Sequence, residues 1–180
     1  RLREARFGGR SKVGKDHAPT KFGIHMSATR EDGEARRNLL IADIVERTGI
    51  DDAMIDRLVR NFYARARQDP LIGPVFARHV DDWEDHYARL SDFWSSVVLM
   101  SGRYHGQPMV KHLPLGVDTA HFNRWLELFV ATAQEVCPPA AAALFIDRAH
   151  RIADSLEMGI ATARGEIKSP PPRPTRALVE

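Results

Sequence analysis

One stretch constrains this chain more than any other: Trp83–Leu115, WEDHYARLSDFWSSVVLMSGRYHGQPMVKHLPL. In it His86, Leu90, Phe93, Trp94 and Val97 recur at the three- and four-residue spacing that puts side chains on one face of a helix. Asp81 with Glu84 reads as a capping box, which predicts a helix over 82–101 closed by Gly102. A loop, GRYHGQ, follows. Pro108 then starts and Pro114 stops an element of about two turns that carries His112. A long helix led by one histidine, followed by a short proline-bounded element carrying another, has to be covered on both sides by what precedes and follows it.

The flanking segments have the same helical period. Ile55, Leu58, Val59, Phe62 and Ala66 form one stripe, with Tyr63 at its edge. Asp51 is a candidate N-cap, and Ile50 and Ile55 stand where a hydrophobic staple spans it. Asp69-Pro70 ends this helix, and Gly73-Pro74 opens a short turn that carries Val75 and Phe76. Upstream, 36–48 predicts a short helix closed by Gly49. Downstream, Asp118 or Thr119 caps a helix whose stripe is Phe122, Trp125, Leu126, Phe129, Val130 and Ala133. Pro138-Pro139 break the chain, and a last long helix over 139–163 presents Phe145, Ala149, Ile152, Ala153, Leu156 and Ile160. No segment alternates as a strand does, and there is no repeat and no glycine-rich phosphate loop. The class is all-α.

At 180 residues this is most simply one domain with tails. It is 43% hydrophobic and 28% charged, as ordinary folded chains are. No run approaches the roughly 18 apolar residues of a membrane-spanning helix, and no secretory segment opens the chain. No membrane partner and a cytoplasmic setting are expected. The single Cys137 leaves no internal disulfide and no multi-cysteine metal site. The net charge of +2 is uneven: residues 1–25 hold seven Lys/Arg against two Asp/Glu, and the remainder 19 against 22. The basic character therefore sits in the leader, and no nucleic-acid partner is expected. The His25-Met26 junction ahead of MSATREDGEARR reads as a cloning remnant before a start, the alternative being a native basic tail; either way residues 1–25 are expected to be a flexible leader. Residues 26–48 are then an N-terminal extension with a short helix, 49–163 the folded domain, and 164–180 a disordered proline-rich tail.

Three residues carry the chemical signal. Tyr63, His86 and Trp125 lie on three separate helices, each on or beside an apolar stripe, and each has a polar tip that needs a partner if buried. Tips converging in an apolar core face a ligand, each other or water; alternatively they point outward. His112 is either a metal ligand, with one ring nitrogen free and the other anchored nearby, or a helix-end histidine meeting carbonyls or solvent. His79, His105, His121 and His150 read as surface, Cys137 as inert, and Ser91 and Ser95-Ser96 lack the paired base a hydrolase needs.

Taken together, Phe62-Tyr63 in LVRNFYARARQDP, LIGPVF ending at Phe76, Trp83 and His86 in WEDH, Phe93-Trp94, GQPMVKHLPL around His112, and Phe122 with Trp125-Leu126 in HFNRWLELF resemble the group III truncated haemoglobins, short members of the globin superfamily. The resemblance covers about 49–160. It implies a two-over-two helical sandwich around one haem b. It also implies His112 as the proximal iron ligand and Tyr63, His86 and Trp125 as the distal pocket. Phe76 would pack on the haem face, with Leu90, Phe93, Trp94, Met109 and Phe122 lining its slot. Arg89, Lys111, Tyr104 and His105 are candidates for the propionates by position alone. His86 as a second iron ligand is the minor variant. The long leader, the extra 36–48 helix and the proline-rich tail depart from the family without touching these motifs.

The function so implied is binding of a diatomic ligand (dioxygen, nitric oxide or carbon monoxide), held tightly because Tyr63 and Trp125 donate hydrogen bonds to it. The alternative is a redox enzyme, a nitric oxide dioxygenase or a peroxidase-like protein, with His86 moving protons and an external electron donor supplying turnover. A haem-free helical interaction module is the remote third class.

Overall fold

The structure, a computed structural model, describes residues 22–166, with side chains described from residue 32 onward. The elements are α1 (Phe22–Thr48), α2 (Asp52–Ala66), α3 (Gly73–His79), α4 (Trp83–Val98), α5 (Pro108–His112), a 3-10 turn (Leu113–Leu115), α6 (Thr119–Val136) and α7 (Pro139–Ala163). No strand occurs among the described residues. Two units can be distinguished, 1–36 and 37–180. Of the first, the described part is the opening of α1. Most of the expected leader, and nearly all of the expected proline-rich tail, lie outside the described residues.

In the second unit, α2 packs on α4 and on α6, while α7 packs on α6 and on α4. That closed circuit of four helices is a two-over-two sandwich, α2 with α4 over α6 with α7. Its centre is aromatic. Phe62, Phe129 and Phe145 are fully buried, together with Ile55, Leu58, Val59 and Val98. Trp94 stacks on Phe129 with ring centres 4.9 Å apart, and Phe129 in turn stacks on Trp125 at 5.1 Å. Each buried phenylalanine contributes about 2–3 kcal/mol of transfer free energy, and the stacked and edge-on pairs add about 1 kcal/mol each.

Local signals set most helix ends. Asp51 caps α2, its carboxylate accepting from the Met54 N–H at 2.7 Å. Asp118 caps α6 in a box whose other half is His121. Pro138-Pro139 open α7, which spans the predicted residues. Four expectations are corrected. α1 begins at Phe22 rather than near 36, so the helix reaches into residues assigned to the leader. The cap of α4 is Asp82, not Asp81, because the Asp82 carboxylate accepts from the Asp85 N–H. α4 ends at Val98, short of 101: Met100 adopts a left-handed conformation (φ 50°), and the Ser96 hydroxyl accepts from the Tyr104 N–H at 2.9 Å. The Gly73-Pro74 turn extends into a two-turn helix, α3, that carries Phe76.

The most informative difference concerns α4. Its deeply buried residues are Tyr87, Trp94, Ser95 and Val98, whereas His86, Leu90, Phe93 and Val97 are only half-buried. The helix thus has two apolar faces, one sealed into the core and one leaning on the core while partly open. The stripe read from sequence is mainly the second of these, with Trp94 at the boundary.

Candidate functional site

Tyr63 sits at the end of the α2 stripe and is 6% exposed. Its ring is the hub of an aromatic cluster: Phe62 at 4.8 Å, His86 at 5.2 Å, Phe76 at 5.3 Å, Trp83 at 6.0 Å and Tyr87 at 6.2 Å between ring centres. The contacts with Phe62, Phe76 and His86 are edge-on, the arrangement favoured by aromatic quadrupoles. Burial pushes the Tyr63 phenol far above its ordinary value, and Trp125, which packs on the same Phe62 ring, partly counters this. Tyr63 is therefore neutral at any working pH. Its hydroxyl keeps a proton to donate, with the Trp125 indole nearby.

His86 stands on the half-open face of α4, edge-on to Tyr63 and, at 5.6 Å, to Trp83. Its Nε2 is buried and has no hydrogen-bond partner. Burial lowers its pKa below the ordinary imidazole value, the Arg89 cation lowers it further, and Asp85 works in the opposite sense. Three polar groups from α2, α4 and α6 thus meet within one aromatic shell. One of them holds an unused nitrogen there.

His112 closes α5. Its Nδ1 lies 2.7 Å from the Pro108 carbonyl oxygen, a contact in which Nδ1–H donates. That bond fixes the tautomer and leaves Nε2 with a lone pair free for a metal, the arrangement common to ligating histidines. Pro108 opens the helix four residues earlier, so the proline that starts α5 also supplies the anchor. No residue of α5 is buried; Met109 and His112 are half-buried, and α5 rests on α7, with the Met109 thioether against Gly159. A Cβ at Gly159 would lie 2.2 Å from the Met109 methyl, so glycine there lets α5 approach.

The residues expected to line the slot divide in two. Phe76, Leu90, Phe93 and Met109 are half-buried, packed on the core on one side only. Trp94 and Phe122 are buried, Trp94 between Phe129 and Phe145 and Phe122 beside a small cavity at the meeting of α6 and α7. Of the propionate candidates, Arg89 is paired with Asp85, Tyr104 rests edge-on against Phe93, and Lys111 and His105 are exposed. The surface reading holds for His79 and His105. It is corrected for His121 and His150, which are half-buried. His121 gains its burial by closing the α6 cap, and that contact holds the Asp118 carboxyl below the ordinary range. Burial raises the Cys137 thiol, consistent with an inert side chain.

Two features escaped the sequence. Tyr87, next to His86, is part of the cluster around Tyr63, and its seven-residue spacing to Trp94 was the available signal. Asp69, which in sequence reads as a helix end beside Pro70, is buried and bonded to Arg124, the neighbour of Trp125. No local pattern announces that contact.

These residues fit an iron porphyrin. An imidazole with one nitrogen anchored, an unpartnered buried nitrogen on a different helix, and a set of half-covered apolar side chains are what such a group needs: one ligand, one polar face and a greasy slot. The model of the bacterial-like globin family matches residues 43–157. The chain belongs to that family. It is 31% identical over 113 residues to the group 3 truncated hemoglobin of Campylobacter jejuni, a stretch covering 60% of this chain and 89% of that protein. Among solved structures, the crystal structure of group III truncated hemoglobin from Campylobacter jejuni superposes with a TM-score of 0.57 at 32% identity, over 60% of this chain and 89% of that one. The chain is thus a truncated globin of the group III kind, and membership implies that it is a haem protein. No helix among the described residues is long and apolar enough to cross a membrane.

Proposed function

We propose that this truncated globin binds haem b through His112 and takes up a diatomic ligand (dioxygen, nitric oxide or carbon monoxide) against Tyr63, His86 and Trp125. The observation that carries the reading is the buried, unpartnered Nε2 of His86, edge-on to the ring of Tyr63, whose phenol burial keeps protonated. A buried polar atom left without a partner costs about 1–3 kcal/mol, and a small polar ligand removes that cost. When bound, haem supplies the iron that holds and polarises such a ligand. Tyr63 and Trp125 then act as a chain: the indole N–H donates to the phenol oxygen, which makes the phenol a better donor to a ligand carrying partial negative charge. Phe76, Leu90, Phe93, Trp94, Met109 and Phe122 exclude water from the porphyrin. A phenol donor strengthened in this way slows ligand release, which suits a tight binder or sensor better than an oxygen carrier.

A second reading, turnover with nitric oxide or peroxide, draws support from the same imidazole. His86 is neutral at working pH because burial depresses its pKa, and its free nitrogen can receive a proton at the ligand. Sustained turnover requires an external electron donor.

The deciding experiment is the absorption spectrum of the protein reconstituted with haemin, beside His112→Ala. A strong Soret band in the parent, lost or shifted in the variant, is the expected result. An unchanged spectrum in His112→Ala would assign the iron to another residue. Stopped-flow displacement of bound ligand, and steady-state consumption of nitric oxide or peroxide with a supplied reductant, separate binding from turnover.

A further inference from the structure

Asp69 is the most thoroughly buried carboxylate among the described residues, with a side chain 2% exposed. It lies in the turn between α2 and α3, and its two oxygens do different things. Oδ1 accepts from the Leu71 and Ile72 N–H groups, both at 3.0 Å, and so builds the turn that starts α3 and presents Phe76. Oδ2 accepts from Arg124 Nε at 2.7 Å, reaching across to α6 one residue before Trp125. The turn has no slack: a Cβ on Gly73 would lie 2.7 Å from the Arg67 carbonyl oxygen. Burial would raise the Asp69 carboxyl, but the two N–H groups and Arg124 hold it below its ordinary range, so the pair is ionised and paired near neutral pH.

This contact is well placed to matter for the distal site. The faces that join α2 to α6 are aromatic and aliphatic, and apolar contact is not directional; helices can slide on it by fractions of an ångström at little cost. Directional links between α2, its turn and α6 are few. Arg65 reaches Thr132 at 3.3 Å and Glu135 further along α6, and Asp69 grips Arg124 at the end where Trp125 and Tyr63 both pack on Phe62. A Trp125 N–H can serve the phenol oxygen only within hydrogen-bond range, and a shift of about 1 Å would end that.

We infer that Asp69 and Arg124 are positioning residues for the distal site: their ion pair fixes the register of α6 against α2, and through it the alignment of the Trp125 indole with the Tyr63 hydroxyl. The inference rests on the proposed function for its consequence in ligand release, but not for the alignment itself. Neither residue touches the ligand. Arg124 also holds Glu127 at 2.9 Å on its own helix, so it reaches Asp69 from a braced position.

The two-sided geometry gives a clean variant. Asp69→Asn keeps an oxygen for the Leu71 and Ile72 N–H groups and replaces only the acceptor of Arg124. Arg124→Ala, at a half-exposed site, removes the link from the other side. In protein labelled with 15N-tryptophan, three indole N–H resonances report Trp83, Trp94 and Trp125, and Trp125→Phe identifies the third. Both variants should move the Trp125 resonance and leave that of the core residue Trp94 in place, and Arg124→Lys should restore much of it. In the haem-loaded protein, ligand dissociation should accelerate on the order of tenfold, the equivalent of one weakened hydrogen bond to a charged acceptor. In a Trp125→Phe background, Asp69→Asn should add nothing to it. An unmoved Trp125 resonance, or a Trp94 resonance that moves as much, overturns the inference; so does an acceleration that persists without Trp125. The resonance is read in the protein as purified, so it stands even where the haem reading fails, which a missing Soret band in the parent would reveal separately.

Discussion

Tyr63→Phe tests the distal arrangement most directly, because it deletes one oxygen and little else. The ring keeps its edge-on contacts with Phe62, Phe76 and His86, so packing is preserved. Two things are lost. The first is a donor to the ligand; a hydrogen bond to a charged acceptor contributes about 1.5–3 kcal/mol, which corresponds to roughly 10- to 150-fold in release rate. The Trp125 N–H, freed from the phenol, points to the same region and recovers part of this, so the lower half of that range, about 10- to 40-fold, is the expected figure. The second is an acceptor: the freed indole costs the ligand-free fold about 1–2 kcal/mol if it stays dry. The assays are stopped-flow dissociation of dioxygen from the ferrous protein and urea unfolding of the ligand-free form. A release rate within twofold of the parent would refute the donor chain, as would a Trp125→Phe, Tyr63→Phe double variant whose effects simply add, since residues coupled through one bond cannot be independent.

Phe129→Ala should destabilise the fold by about 3–5 kcal/mol, because it empties a fully buried site stacked between Trp94 and Trp125; a urea midpoint unchanged within error would contradict the stacking. His86 makes stability pH-dependent. Its folded pKa is depressed chiefly by burial, so below the ordinary value of about 6.5 the unfolded chain binds a proton that the folded one refuses. The ligand-free protein should therefore lose stability as pH falls from 6.5 toward the folded value, with no further loss from this group below it or above 6.5. His86→Phe should remove that part, and identical pH profiles for the two proteins would count against it. Gly159→Ala places a methyl on the Met109 thioether and should displace α5, costing about 1–3 kcal/mol and shifting the Soret band; a parent-like spectrum and stability would mean that Met109 swings aside freely.

The helices were legible because their signals are local. Proline pairs and aspartate caps set the ends of α2, α6 and α7, and a three-to-four-residue period displays their buried faces. Motif residues were legible for a different reason: Tyr63, His86 and Trp125 are unusual tips on apolar stripes, and the fold gathers them around Tyr63. What failed was whatever depends on a distant partner or on a choice between adjacent faces. On α4 the apolar sector is broad, and sequence alone does not say that Tyr87 rather than His86 goes deepest; packing against α2 and α7 decides it. The early end of α4 follows from a left-handed Met100, which no propensity favours. Asp69 looked like punctuation because a carboxylate beside a proline usually is; its burial depends on an arginine 55 residues away.

The residue proposed to hold the iron sits on a short helix with no buried side chain. α5 buries none of its side chains and is held chiefly through Met109 on α7, while the four long helices close on one another without it. Assembly can therefore run in sequence: the sandwich completes first, and the short helix latches last, as the prosthetic group arrives. Amide exchange across 108–115 should then slow sharply on loading while the centre of α6 barely responds. On the proposed reading, the haem-free chain is a closed four-helix scaffold with one loose latch, the part that a porphyrin would fasten.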